Sequence, residues 1–430
     1  MKHVPTVPGH PFSRISHRAV ACFFAAARKC PSLAAIILPV AAAFLPVALH
    51  AADWPRFLGP KGDGFSAETG IQKNWNESAP KMLWSVPLTD DGFAGPAVAG
   101  GKLFIIDHKG TEDVVRAIDM ATGKDVWTYS YEDKKAANYG FSNSTPLILA
   151  GKVYVNGRLG LVTCLDEKTG KKVWDKDIRA TFKGKKPRWE YAISPFIDDN
   201  MLIVCPGGPD AAVVALNPLT GDTLWQGGGS DVSGYATPVM AMAGSQKLYI
   251  VFTGVSLIGV DAADGKLLWR VPWKTEYDVN GATPIVMGNT IFITSGYGHG
   301  CALVQFSDND AKILWENKDM QSRFGTPLFF AGHLYSTEDS GNLTCMDATT
   351  GKVAWKQPGF EMGGFTGIDG VALVLDGKGG ELAMVKLAAD KYQELGRFKP
   401  LGGKSWTAPI ISDGKLIVRN KTTLAVFSLK

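Results

Sequence analysis

A tryptophan recurs along this chain at nearly constant intervals, and that recurrence constrains the fold more than any other feature. The anchors are Trp84, Trp127, Trp174, Trp225, Trp269, Trp315 and Trp355, separated by 43, 47, 51, 44, 46 and 40 residues. A further 40 residues reach Leu395, which takes the same place in a degenerate copy. Eight residues before the anchor stands a small polar or acidic residue: Asp119, Asp166, Asn217, Asp261, Ser307 or Asp347. Four before it stands Gly123, Gly170, Gly221, Gly265 or Gly351, with Ala311 the exception. The Asp or Asn can close its own turn through its side chain. The glycine supplies the positive φ that a hairpin reversal needs. The tryptophan then lies in the next strand, a large side chain able to pack on a neighbouring copy.

Each copy carries two more strands upstream. One follows a Thr-Pro or related pair: Thr145-Pro146, Ser194-Pro195, Thr237-Pro238, Thr283-Pro284, Thr326-Pro327 and Ala408-Pro409. The other follows a turn, as in GKLFII, GKVYVN, NTIFIT and GKLIVR. Short alternating runs of β-branched and aromatic residues between turns are strand chemistry. Four short strands in 40–50 residues is the period of a β-propeller blade, and the alternation excludes helical repeats. The chain ends one strand short of a complete last blade and begins one strand early, with KMLWSVPL around Trp84. An all-β, eight-bladed propeller of four-stranded antiparallel blades is therefore expected, spanning residues 81–430 and closed by its N-terminal strand. Closure removes open sheet edges.

The first 52 residues read differently. LAAIILPVAAAFLPVAL at 33–49 follows Arg28-Lys29 and ends in His50-Ala51-Ala52. That is the pattern of a secretory signal, with cleavage expected near Ala51 or Ala52 and a periplasmic or envelope destination. The run is short for a membrane span and contains two prolines. No cysteine follows it to carry a lipid. Residues 53–80 are left as an extension before the propeller, and no later stretch is apolar enough to span a bilayer. The formal charge of +4 resides in this leader, which holds five basic residues and no acid. What remains has 40 basic against 41 acidic residues, which gives no electrostatic case for binding nucleic acid. Hydrophobic residues at 45% suffice for a large core and exclude a disordered chain. Cys164, Cys205, Cys301 and Cys345 form no CxxC or CxxCH and read as small buried hydrophobes.

The AxDxxTGKxxW repeat, as in AIDMATGKDVW, CLDEKTGKKVW and CMDATTGKVAW, resembles the tryptophan-docking repeat of quinoprotein-like propellers. The resemblance covers about residues 82–430. The leader WPRFLGPKGDGFSAETGIQKNW looks like the segment preceding the propeller in small exported proteins of that kind. The family includes dehydrogenases dependent on pyrroloquinoline quinone (PQQ) and calcium. It also includes the non-enzymatic lipoprotein of the outer-membrane β-barrel assembly machinery. The enzymes carry adjacent cysteines beside the quinone, and this chain has no Cys-Cys pair. The expectation is an exported, non-catalytic scaffold that binds an envelope protein or a small ligand, as a monomer, without cofactor or metal. The alternative is an oxidoreductase, PQQ-dependent or otherwise, with its site in the funnel.

Residues just before each innermost strand should crowd one mouth of the central channel. These are Asn143, Arg188, Trp189, Glu190, Tyr191, Tyr235, Asn280, Arg323, Phe365 and Trp406, an aromatic and polar set suited to recognition. Arg323 offers a planar charged fork, and Trp189 and Trp406 offer stacking faces. The linker TFKGKKPRWEYA adds a basic loop, from Lys183 to Arg188, beside the aromatics. His299, in SGYGHGC, lies close to Cys301 but has no further ligand cluster around it.

Overall fold

Apolar strands with turns every few residues can bury both faces only by stacking sheet on sheet, and the computed structural model does this eight times around one axis. It describes residues 53–137 and 139–430. The expected signal segment, 1–52, lies outside the described residues. Blades I to VII comprise residues 97–132, 147–177, 196–227, 239–272, 285–317, 328–358 and 365–398, each a meander whose strands pair antiparallel in chain order. Blade VIII takes three strands from 410–428 and its fourth from Met82–Pro87. That fourth strand runs antiparallel to Thr423–Ser428, with Trp84 opposite Val426. The ring thus closes through the N-terminal strand, as the strand count predicts.

The core divides into eight apolar clusters, one in each cleft between successive blades. Blades II and III, for example, share Tyr154, Val162, Cys164 and Trp174 with Leu202, Val204 and Leu216. Blades VIII and I share Ile417, Leu424 and Val426 with Leu103, Ile105 and Ile118. The recurrent tryptophan sits in seven of these clefts, and Leu395 takes its place between blades VII and VIII. Trp84, Trp127, Trp174, Trp315 and Trp355 donate Nε1–H to a turn carbonyl of the next blade, at 2.8–3.1 Å. The turn glycine ahead is the seat for the ring. A Cβ on Gly170 would stand 2.6 Å from Trp127, and one on Gly221 2.7 Å from Trp174. Blade V has Ala311 where that glycine belongs. The preceding Trp269 packs closely on Gly259 of its own blade and meets Phe306 of blade V, with ring centroids 6.2 Å apart; its Nε1, like that of Trp225, has no hydrogen-bond partner among the described residues.

A buried ion pair reinforces the closure. Asp90, in the linker from the closing strand to blade I, meets Arg419 of blade VIII at 2.9 and 3.2 Å, and both are at most 1% exposed. The guanidinium also donates to the carbonyls of Gly92, Ala94 and Asn420. Arg158 is also buried and reaches Asp133 at 2.7 Å, between blades I and II.

Residues 53–80 are part of the propeller's packing and not a free extension. Trp54 exchanges backbone hydrogen bonds with Val98, and Ile148 N–H donates to the Pro55 carbonyl. Phe65–Ser66 runs parallel to the innermost strand of blade VII, where Gly367 leaves room for the Phe65 ring. The segment therefore touches the innermost strands of blades I, II and VII. Beyond it, Trp75 is buried against Phe398, with ring centroids 5.0 Å apart, beside the degenerate Leu395 position.

Candidate functional site

The linkers that enter the innermost strands converge at one end of the axis and enclose a cup of about 400 Å³. All eight linkers contribute to its wall, among them Phe93, Tyr139, Trp189, Tyr235, Val279, Phe324, Gly364 and Trp406. The residues Trp54, Phe57, Leu58 and Gly64 also line it, so the N-terminal segment supplies the closed end of what would otherwise be a longer channel.

The Thr-Pro pairs explain how the wall is held. Thr145 N–H donates to Ser194 Oγ at 2.9 Å, Ser194 N–H to Thr237 Oγ1 at 3.3 Å, and Thr283 N–H to Thr326 Oγ1 at 3.1 Å. A hydroxyl of one blade thereby satisfies a backbone donor of the blade before it, and the following proline needs no such partner. These hydroxyls form a polar band between the aromatic mouth and the apolar floor.

The mouth is a chain of ring contacts. Trp189 is nearly parallel to Tyr297, with centroids 6.4 Å apart, and meets Tyr277 edge-on at 5.6 Å. Tyr139 bridges Trp189 and Trp406 at 6.3 and 6.5 Å. Phe93 and Phe324 flank Trp406 at 4.6 and 5.4 Å. Three cations lie on these faces. Arg188 stands 4.6 Å from the Tyr277 centroid, Arg323 4.0 Å from Tyr297, and Lys404 4.4 Å from Trp406. Tyr139 is half exposed, as Tyr277 and Phe324 nearly are, so the aromatic surface faces solvent.

Of the sequence-predicted residues, Asn143, Trp189, Tyr235, Arg323, Phe365 and Trp406 line the cup. Arg188 lies at its rim, stacked on Trp189 and Tyr277. Three expectations are corrected. Tyr191 is buried and donates its hydroxyl to the Pro206 carbonyl at 2.8 Å, so it faces the core. Asn280 is wholly buried. Its amide donates to the Thr253 and Trp273 carbonyls and its oxygen accepts from Ser295, which makes it an internal strut. Glu190 does not line the cup but pairs with Lys186 at 2.7 Å. The fork of Arg323 is also partly taken, because Nε and Nη2 both donate to Asp339, at 3.1 and 2.7 Å. Only Nη1 is left without a hydrogen-bond partner among the described residues.

Sequence reasoning missed Phe93, Tyr139, Tyr277, Tyr297, Phe324, Lys404 and the whole floor. Phe324 and Lys404 stand within two residues of predicted positions and were within reach of it. Tyr297 comes from a hairpin of blade V, and the floor from residues 54–64, where no repeat rule applies. Elsewhere, His299 packs its ring against Trp273 at 4.4 Å, and burial lowers its pKa. All four cysteines of the described region are free and buried.

The donor set bears on the cofactor that the quinoprotein resemblance implies. The charged residues lining the cup are Arg323 and Lys404, with no carboxylate among them. Calcium is held by about six to eight oxygens, typically with carboxylates among them. The cup residues therefore do not fit a calcium-held quinone.

The model of the family described as outer membrane protein assembly factor BamB matches residues 73–156 and 111–357. The BamB of Moranella endobia is 24% identical over 274 residues, which is 58% of this chain and 66% of that one. The BamB of Yersinia pestis is 23% identical over 367 residues, 81% of this chain and 78% of that one. Among solved structures, BamB from Moraxella catarrhalis superposes with a TM-score of 0.57 at 16% identity, covering 81% of this chain and 97% of that one. A europium-containing methanol dehydrogenase superposes with a TM-score of 0.64 at 14% identity, covering 88% and 98%. At such identities the two structures speak to fold alone.

Proposed function

Because the chain belongs to the BamB family of outer membrane protein assembly factors, we propose that it is an exported, non-catalytic scaffold that binds envelope proteins engaged in outer-membrane assembly. It acts as a monomer, after cleavage of its leader near Ala51 or Ala52. The observation that carries the docking site is the mouth itself. Tyr139, Tyr277 and Phe324 offer flat, exposed rings beside the partly buried Trp189, with Arg188 laid over Tyr277 and Trp189. Tyrosine, tryptophan and arginine are the residues that most often dominate protein–protein binding energy. Their rotamers are already held by one another, so little freedom is lost on contact.

The quinone-dependent alternative receives no support from the donors of the cup. The test uses tagged protein exposed to detergent-solubilised envelopes of its own cells. Wild type should retain outer-membrane assembly proteins, and a Tyr277→Ala, Arg188→Ala double variant should lose them while keeping its melting transition. Retention of the same proteins by both would exclude the mouth as the docking surface.

A further inference from the structure

Beneath the aromatic rim, the polar band of the cup has a directional character that its amino-acid composition does not reveal. A hydroxyl can donate one hydrogen bond and accept others. The oxygens of Ser194, Thr237 and Thr326 already accept from backbone N–H groups of the preceding blade. Tyr235 repeats the pattern, its hydroxyl oxygen accepting from Trp189 N–H at 3.1 Å. In all four cases the hydroxyl hydrogen is left to point elsewhere, and all four side chains line the cup. Burial raises the Tyr235 phenol to about 12, so this group holds its proton at neutral pH.

The charges have the same sign. Lys404 has no ion-pair partner among the described residues and stands over the Trp406 face. Arg323 retains Nη1. Asp339, which takes the other two nitrogens of Arg323, is not among the lining residues, and no carboxylate lines the cup to accept from Lys404 or the hydroxyls. Trp54, Phe57, Leu58, Phe93 and Phe365 make much of the remaining wall and floor apolar, with Asn143, Thr145, Thr366 and Thr407 among its further polar side chains. The volume falls within the range of small-molecule sites.

We infer that this cup is a binding site for a small organic anion, an apolar body carrying a carboxylate or equivalent head. The head meets Lys404 and the hydroxyl donors, and the body lies among the aromatic faces above the floor built by residues 54–64. A neutral amide of the same shape offers the donors one acceptor oxygen in place of two and no charge for Lys404, and a cation is repelled by Lys404. The inference does not rest on the partner-docking reading, because it concerns the interior of the cup and not its rim.

Three matched probes test it: 2-naphthoate, 2-naphthamide and 2-naphthylmethylammonium, titrated into the full-length protein by calorimetry and by tryptophan fluorescence. The naphthoate should bind at least tenfold more tightly than the amide, and the ammonium more weakly than either. Lys404 is exposed, so Lys404→Met should fold normally; it should bring the anion within about threefold of the amide and leave the amide unchanged. Lys404→Glu should favour the ammonium. The basic loop is the rival locus, and Lys183→Met with Lys185→Met should change nothing. Equal binding of the three probes, no saturable binding of any, an anion preference that survives Lys404→Met, or its loss in the loop variant would each overturn the assignment.

Discussion

Replacing Arg419 with methionine tests the closure of the ring at its most concentrated point. The guanidinium donates to both oxygens of Asp90 and to three backbone carbonyls, and neither charged side chain has measurable exposure. Methionine removes the positive charge and leaves the Asp90 carboxylate buried with Ser142 as its remaining side-chain partner. Breaking a buried pair from one side costs about 3–5 kcal/mol. Folded domains are stable by only ~5–15 kcal/mol, so the loss is a large share of the total. Urea unfolding followed by tryptophan fluorescence should show a much lower midpoint. Lys172→Met provides the comparison, because its pair with Asp175 lies on the surface, at 2.7 Å, and should leave the midpoint nearly unchanged. The Asp90→Leu, Arg419→Met double variant should be less destabilised than the two single losses added together, since no lone charge remains buried. A midpoint for Arg419→Met no lower than that of Lys172→Met would refute the argument that this pair locks blade VIII to blade I.

Three further outcomes are expected. Trp174→Ala should cost about 3–5 kcal/mol in denaturant unfolding, as for a buried aromatic, whereas Trp189→Ala at the open mouth should cost much less. Burial, opposed by the His108 hydrogen bond, raises the Asp113 carboxyl from 3.8 to about 6. The folded state then holds this proton more tightly than the unfolded chain does. Asp113 thus favours folding below about pH 4, and its contribution is lost as pH rises to about 6. Asp113→Asn should flatten that part of the stability profile, measured as urea midpoints between pH 4 and 7. Finally, burial pushes the Cys164 and Cys345 thiols to about 11, and those of Cys205 and Cys301 to about 12. These four should resist Ellman's reagent at pH 8 in the native protein and react only after unfolding.

Much of the architecture was legible because a propeller repeats its chemistry. Each blade must solve the same problem of turning a hairpin and filling the cleft to its neighbour, so the Asp, Gly and Trp recur in phase. The missing strand at the C-terminus could be matched with the surplus strand around Trp84 by counting alone.

The cup was only partly legible, and the reason is geometric. Position before an innermost strand, which the repeat supplies, brought Asn143, Trp189, Tyr235, Arg323, Phe365 and Trp406 to the lining. The same rule admitted Tyr191 and Asn280, because sequence position does not say whether a linker side chain turns toward the axis or into the protein. Nor does it show which donors are already engaged, so Asp339, which takes two of the nitrogens of Arg323, could not be foreseen. The segment 54–66 that forms the floor lies about 300 residues before its partner strand at Phe365–Ile368, and no local pattern encodes that pairing. By itself the sequence determined the blade, the number of blades and the point of closure, since these follow from short-range periodicity. Only the tertiary structure decided which side chains share the cup, which hydroxyls still have a proton to give, and what closes the bottom, because these depend on contacts between segments far apart in the chain.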